Sequence, residues 1–285
     1  MESLEPKAEY GRIAFDTFAL EEWDYSKPRD ADAEQWIMLV KKYLALQPRE
    51  RTRYHRVAIE SRERARSRGR IRGEDHPLLT QDNIARVLQP HQTIQERNIC
   101  ANRWGLATPV WVRACYEPAL EDEYQELKED WACEGDGLSG ACPEEYFLLE
   151  DAALYDAGPD YDKDQILRTI VARLPSLGDF YPYPHKIERK ERELEELKGE
   201  EGEVSNYRLV AASCRAEALL YIIDAEAIRE NLVKLMWLDA HGNRVWNNKI
   251  DPSAMEGMRA TFSDGYTLLE ATESHCVIGN EEDEQ

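Results

Sequence analysis

The sequence predicts an α+β fold, with a mainly helical N-terminal portion packed with a smaller antiparallel β-sheet region at the C-terminus. Three observations carry this. Before residue 186, apolar residues recur at helical spacing in segments bounded by capping residues and prolines. After residue 204, short runs such as Ala218 to Ile223 are rich in apolar and β-branched residues, and two later runs flank a loop with Gly and Asn. Between the two parts lies a charged run, 186–203, with Ile187, Leu194 and Leu197 as its only aliphatics.

Residues 1–29 mix aromatics (Tyr10, Phe15, Phe18, Trp23, Tyr25) with acids and read as an arm that docks on the body. The helical portion then spans 30–185. Asp30 or Asp32 caps its first helix, Trp36, Val40, Tyr43 and Leu44 form the apolar stripe, and Pro48 stops it. From Arg49 to Arg72 there are ten Arg, no Lys and three Glu, a net of +7 in 24 residues. Apolar residues nearly vanish after Glu60, so an exposed helix or loop is expected there. Thr80 caps a short helix ended by Pro90.

Ala107 to Tyr116 reads as a strand. Pro118 opens a helix whose Leu120, Tyr124, Leu127 and Trp131 share one face. Its other side is acidic: from Glu117 to Asp164 there are 17 acids against Lys128 and Lys163, a net of −15 in 48 residues. A helix follows from about Lys163 to Leu174, ended by Pro175, and the turn-rich 176–185 leads into the charged run. With Glu188–Arg192 and Arg192–Glu196 at i,i+4 spacing, that run reads as a solvated helical spacer. In the sheet region, 204–278, Tyr207 to Cys214 and Ala218 to Ile223 read as strands and Asp224 caps a short helix. Leu232 to Leu238 and Arg244 to Ile250 form a hairpin around 239–243. The tail, 279–285, is acidic.

A chain of 285 residues with net charge −21 is unsuited to general nucleic-acid binding or to adsorption on anionic membranes. Its longest strongly apolar run, Ala218 to Ile223, is too short to span a bilayer. The first residues lack a basic start followed by an apolar stretch, so a cytoplasmic or nuclear location is expected, with six free thiols. No CxxC pair exists. Cys133 and Cys142 flank an eight-residue polar loop but lack nearby soft partners for zinc. No cofactor is implied.

Several motifs fail on context. Gly135 to Gly140 spells GxGxxG, yet an acidic helix precedes it where a dinucleotide fingerprint needs an apolar strand. The overlapping Gly137 to Ala141 fails as a nucleophile elbow for the same reason. Asp160, Asp162 and Asp164 have the alternate spacing of hard-cation ligands. The rest of a calcium loop is missing, because Gln165 and Val171 occupy the glycine and glutamate positions. These acids suit a helix start equally well. The six histidines are scattered, and His275 and Cys276 are adjacent in sequence, which on a strand points them to opposite faces.

The Arg-rich segment remains. Arg without Lys suits bidentate contact with carboxylate or phosphate. Arg62, Arg64, Arg66, Arg68, Arg70 and Arg72 are therefore the candidate partner-binding residues. The expectation is charge-steered protein–protein interaction, with a protein partner or self-association, the Arg-rich and acidic segments orienting the contact. The alternatives are an enzyme or small-ligand site between the helical and sheet portions, and RNA contact through the arginines.

Overall fold

A computed structural model describes residues 10–69, 76–102, 105–133, 148–158, 163–179, 184–199, 207–255, 268 and 277–278. In chain order these form α1 (Ala14–Glu22), α2 (Asp32–Ala45), α3 (Pro48–Ser67), α4 (Gln81–Asn83) and α5 (Ile94–Asn102). Then come β1 (Val110–Arg113), α6 (Glu121–Cys133), β2 (Leu148–Leu149), α7 (Ala152–Tyr155), α8 (Lys163–Arg173), α9 (Pro184–Gly199) and α10 (Tyr207–Arg215). β3 (Ala218–Ile223), α11 (Ala225–Glu230), β4 (Val233–Leu238), β5 (Arg244–Ile250) and β6 (Val277–Ile278) complete the chain. The class is α+β, with the helices mostly N-terminal. The residues divide into two compact units: Met1–Arg103 with Val171–Ile187, and Trp104–Ile170 with Glu188–Gln285.

The first unit is helical. Residues 14–22, within the stretch expected to dock as an arm, form α1, and Phe15, Phe18 and Leu20 are fully buried there. Phe15 meets the rings of Trp36 and Tyr43 edge-on at 5.2 and 5.1 Å, and Phe18 meets Tyr54 at 5.3 Å. Such pairs add to simple burial because ring edges and faces carry opposite partial charge. α2 ends at Leu46, whose extended backbone carries the chain to Pro48. α3 starts there with a capping box between Gln47 and Glu50. The Thr80 hydroxyl accepts the Asn83 N–H at 3.2 Å, as a cap should.

The second unit holds one sheet of order β2-β1-β3-β4-β5-β6. β1 runs parallel to both β2 and β3, while the remaining pairs are antiparallel. The expected antiparallel region after residue 204 is thus part of a mixed sheet that also recruits strands from 110–149. β1 and β3, which pair in parallel, are buried at every position, as parallel strands covered on both faces are. The hairpin forms as expected, with Gly242 at φ 77° in its loop and Asp239 accepting from the His241 and Asn243 N–H groups. One element differs in kind. Residues Tyr207–Arg215 form a helix, not a strand. The pair Ala211–Ala212, both buried, favours a helix, and so small a side chain at residue 212 brings its backbone close to the core.

The run expected as a spacer is helical in α9, but it is also tied down. Lys190 Nζ donates to Glu217 Oε1 at 2.8 Å and to the Ala216 carbonyl at 3.3 Å. Among the described residues, no helix is long and apolar enough to cross a membrane.

Candidate functional site

The Arg-rich segment is helical along α3, and the helix sorts its arginines by face. Arg51, Tyr54, Ala58 and Ser61 point inward at spacings of three and four residues. Arg51 is spent on the fold. Its guanidinium donates to Asp179 Oδ1 and to the Leu44 carbonyl, each at 3.0 Å, and lies 4.7 Å from the Tyr43 ring centre. Arg53 folds back over the Tyr54 ring at 4.3 Å.

The outward face carries Arg56, Glu60, Glu63, Arg64, Arg66 and Arg68, all exposed. Arg64 meets Glu60 one turn back at 3.1 Å, an exposed i,i+4 pair of small energetic weight. Of the candidate partner-binding residues, Arg64, Arg66 and Arg68 therefore cluster at the C-terminal end of a 20-residue helix. Arg62 lies on the same helix with its side chain outside the described residues, and Arg70 and Arg72 fall outside them altogether.

Of the three candidate cation ligands, Asp164 is exposed in the first turn of α8, where a carboxylate favours the helix dipole. Asp160 and Asp162 lie outside the described residues, as do both glycine motifs and Cys142. Among the described residues, no group of His, Cys, Asp and Glu could hold a metal ion. On α6, Tyr124 and Leu127 are buried while Asp122, Glu123, Glu126 and Glu129 are exposed. That is the wet side of an amphipathic helix.

A second charged constellation sits at the carboxyl ends of the parallel strands β1 and β2, a position where α/β sheets commonly bind ligands. Arg113 ends β1 and Glu150 follows β2. Arg113 donates to Glu121 Oε2 at 2.5 Å, to Glu150 Oε1 at 3.4 Å and to the Cys115 carbonyl at 2.9 Å. Its guanidinium lies 4.4 and 3.9 Å from the ring centres of Tyr116 and Tyr124. Glu150 also accepts from the Tyr124 hydroxyl at 2.7 Å and from Lys128 at 3.0 Å. Burial works to raise the Glu150 pKa. The Tyr124 and Lys128 hydrogen bonds, with the charges of Lys128 and Arg113, outweigh it and hold the carboxyl below its ordinary range. Burial pushes Tyr116 and Tyr124 well above a free phenol.

Two cations thus face two carboxylates, and each is answered by the other. The cluster clamps β1, β2 and α6 together. No family model matches this chain, and the comparisons with curated proteins and with solved structures find no match. The site must be judged on its chemistry alone.

In the helical unit, the Asp179 carboxylate gathers the Tyr43 hydroxyl at 2.5 Å and Arg51 at 3.0 Å, with His55 Nε2 at 4.0 Å. Burial lowers the His55 pKa and Arg51 adds to that, against the opposing pull of Asp179. Nothing in the sequence pointed to this group, since Tyr43 and Asp179 are 136 positions apart. These contacts hold Asp179 against α2 and α3. The arginines at the C-terminal end of α3 face solvent, as do the acids of α6, whereas Arg51 and Arg113 are buried.

Proposed function

We propose that this protein acts through charge-steered association with an acidic protein surface, received at the C-terminal end of α3. The observation that carries this reading is the exposure of Arg64, Arg66 and Arg68 at one end of α3, whereas Arg51 is buried against Asp179 and the Leu44 carbonyl. Guanidinium groups suit carboxylates because their planar donors pair bidentately and they shed water more readily than ammonium groups. The whole chain, at net −21, repels an acidic partner from a distance. At physiological salt that repulsion is screened beyond ~8 Å, so the local arginines decide the close approach. The same reading puts the protein in the cytoplasm or nucleus with its cysteines as thiols.

Affinity for an acidic peptide should therefore pass through a maximum with salt. It is weak at low ionic strength, where the net charge acts at long range, and weak again at high ionic strength, where the local contact is screened. Fluorescence anisotropy with a labelled polyglutamate peptide, for the wild type and R64Q/R66Q/R68Q, checks this. Loss of binding in the variant is the expected result. Equal binding by both proteins overturns the reading. An RNA oligonucleotide that binds where polyglutamate does not would assign the arginines to phosphate instead. Sedimentation of the protein alone tests self-association: a salt-sensitive dimer would make the acidic partner a second copy.

A further inference from the structure

Phosphoryl transfer to a serine is directed by charge as well as by the hydroxyl, because guanidinium groups before the acceptor pair with acidic residues along a kinase's substrate groove. Three hydroxyl residues of α3 stand among arginines, and the helix separates them. Ser61 is buried. Thr52, with Arg49 and Arg51 before it, is half-buried near the helix start. Its hydroxyl donates to the Pro48 carbonyl at 3.3 Å, and its neighbour Arg51 is buried against Asp179. Ser67 differs on every count. It is exposed, it is the last residue of α3, and Arg62, Arg64 and Arg66 precede it at positions −5, −3 and −1. We propose that Ser67 is a phosphorylation site for a basophilic serine kinase, and that the phosphate closes the arginine surface to its acidic partner. The closing of the surface rests on the charge-steered reading; the site itself does not.

A kinase draws its acceptor into a cleft, so the segment has to open locally. From Glu63 to Gly69 every described residue is exposed, so that opening uncovers no apolar core. The Ser67 hydroxyl donates to the Arg64 carbonyl at 2.9 Å and the Arg68 N–H to the same carbonyl at 3.2 Å, contacts within one terminal turn. Gly69, at φ 65°, ends the helix just beyond. In the transfer, Ser67 Oγ bonds to the γ-phosphorus of ATP and the bond from that phosphorus to the β,γ-bridging oxygen breaks. ADP leaves, and the hydroxyl proton passes to the kinase's catalytic carboxylate. The product carries about two negative charges and three acceptor oxygens amid Arg64, Arg66 and Arg68. Arg64 stands one turn from Ser67, and its pair with Glu60 at 3.1 Å is exposed and weak. The phosphate therefore takes the guanidinium donors that an acidic partner would use.

The test incubates the full chain with the catalytic subunit of cyclic-AMP-dependent protein kinase and magnesium ATP. Peptide mass spectrometry maps the phosphate, and binding of labelled polyglutamate is read at physiological salt. The expected result is phosphate on Ser67 and not on Thr52 or Ser61, with transfer about tenfold slower in R64Q and polyglutamate affinity about tenfold weaker after modification. S67A, which alters an exposed side chain and should fold as the wild type does, is expected to keep its affinity through the same treatment. Transfer to Thr52 or Ser61 instead, or no transfer, overturns the Ser67 assignment. Phosphate on Ser67 with polyglutamate binding unchanged, in a protein whose binding R64Q/R66Q/R68Q abolishes, overturns the closing of the surface and leaves the charge reading standing. Phosphate on Ser67 with no polyglutamate binding by the unmodified protein overturns the charge reading and keeps the modification site.

Discussion

Asp16 and Arg97 are both fully buried, and Arg97 grips the carboxylate through two hydrogen bonds of 2.5 and 2.7 Å. The Gly11 N–H adds a third donor to Asp16 at 2.7 Å, and Gln92 Oε1 accepts from Arg97 at 3.1 Å. The Tyr10 ring covers the guanidinium at 4.6 Å. Burying both charges costs much of what their attraction returns, so the pair as a whole adds little net stability. Removing one partner is different, because it strands the other charge away from water. Arg97→Leu is expected to cost about 3–5 kcal/mol, and the double substitution Arg97→Leu with Asp16→Leu much less than the sum of the two singles. Urea denaturation of the three variants checks this. A single substitution as mild as the double would mean that the pair is not sealed from water. The two residues stand 81 positions apart, and sequence spacing gave no sign of their meeting.

At the scale of elements, local signals were legible where one residue type dominates. β3 and β5 fall where apolar runs and the hairpin loop placed them, and Asp224 caps α11 through the Ala227 N–H at 2.9 Å. α11 closes with Asn231 at φ 51°, a left-handed cap that asparagine tolerates. α10 was missed because a short run such as Leu209 to Ala212 satisfies either period, and its alanines decide for helix. The clamp at the strand ends was invisible for another reason. Its members Arg113, Glu121, Tyr124 and Glu150 come from three elements, and only the parallel pairing of β1 with β2 unites them. That clamp is testable. Arg113→Lys keeps the charge but cannot serve two carboxylates and a carbonyl in one plane, nor stack between two tyrosines. Unit 2 should lose about 1–3 kcal/mol, seen as an earlier transition in thermal unfolding followed by hydrogen exchange of β1 and β2. An unchanged midpoint would show that the stacked, planar geometry contributes nothing.

For the molecule as a whole, the two units differ in how they meet acid. In the helical unit, His55, His76 and His91 all have lowered pKa values, each caused first by burial. Arg51 adds to the effect at His55 and Arg173 at His91, while Asp179, Asp32, Asp16 and Glu21 oppose it. His91 is stacked on Trp36 at 4.5 Å with its Nε2 buried, a poor place for a second proton. A histidine whose folded pKa is depressed takes up its proton more readily when unfolded, so the unfolded state gains as pH falls through about 6.5. The stability of this unit is therefore complete above neutral pH and declines below it. In the sheet unit, Glu226 is held between Lys234 and Lys249, whose hydrogen bonds lower its pKa to about 2. Its contribution is present above the ordinary carboxylate range and is lost only as pH falls from about 4.5 toward 2. The units should thus fail in sequence on acidification, the helical one first. Hydrogen exchange by mass spectrometry, corrected for the intrinsic pH dependence, should show α1 to α3 opening between pH 7 and 5 while β3 to β5 stay protected. Replacing His91 with Phe, which keeps the stack on Trp36 and cannot take up a proton, should flatten the response of the helical unit. If both units lose protection together near neutral pH, or if His91→Phe leaves the profile unchanged, the buried histidines do not set the acid limit of this protein.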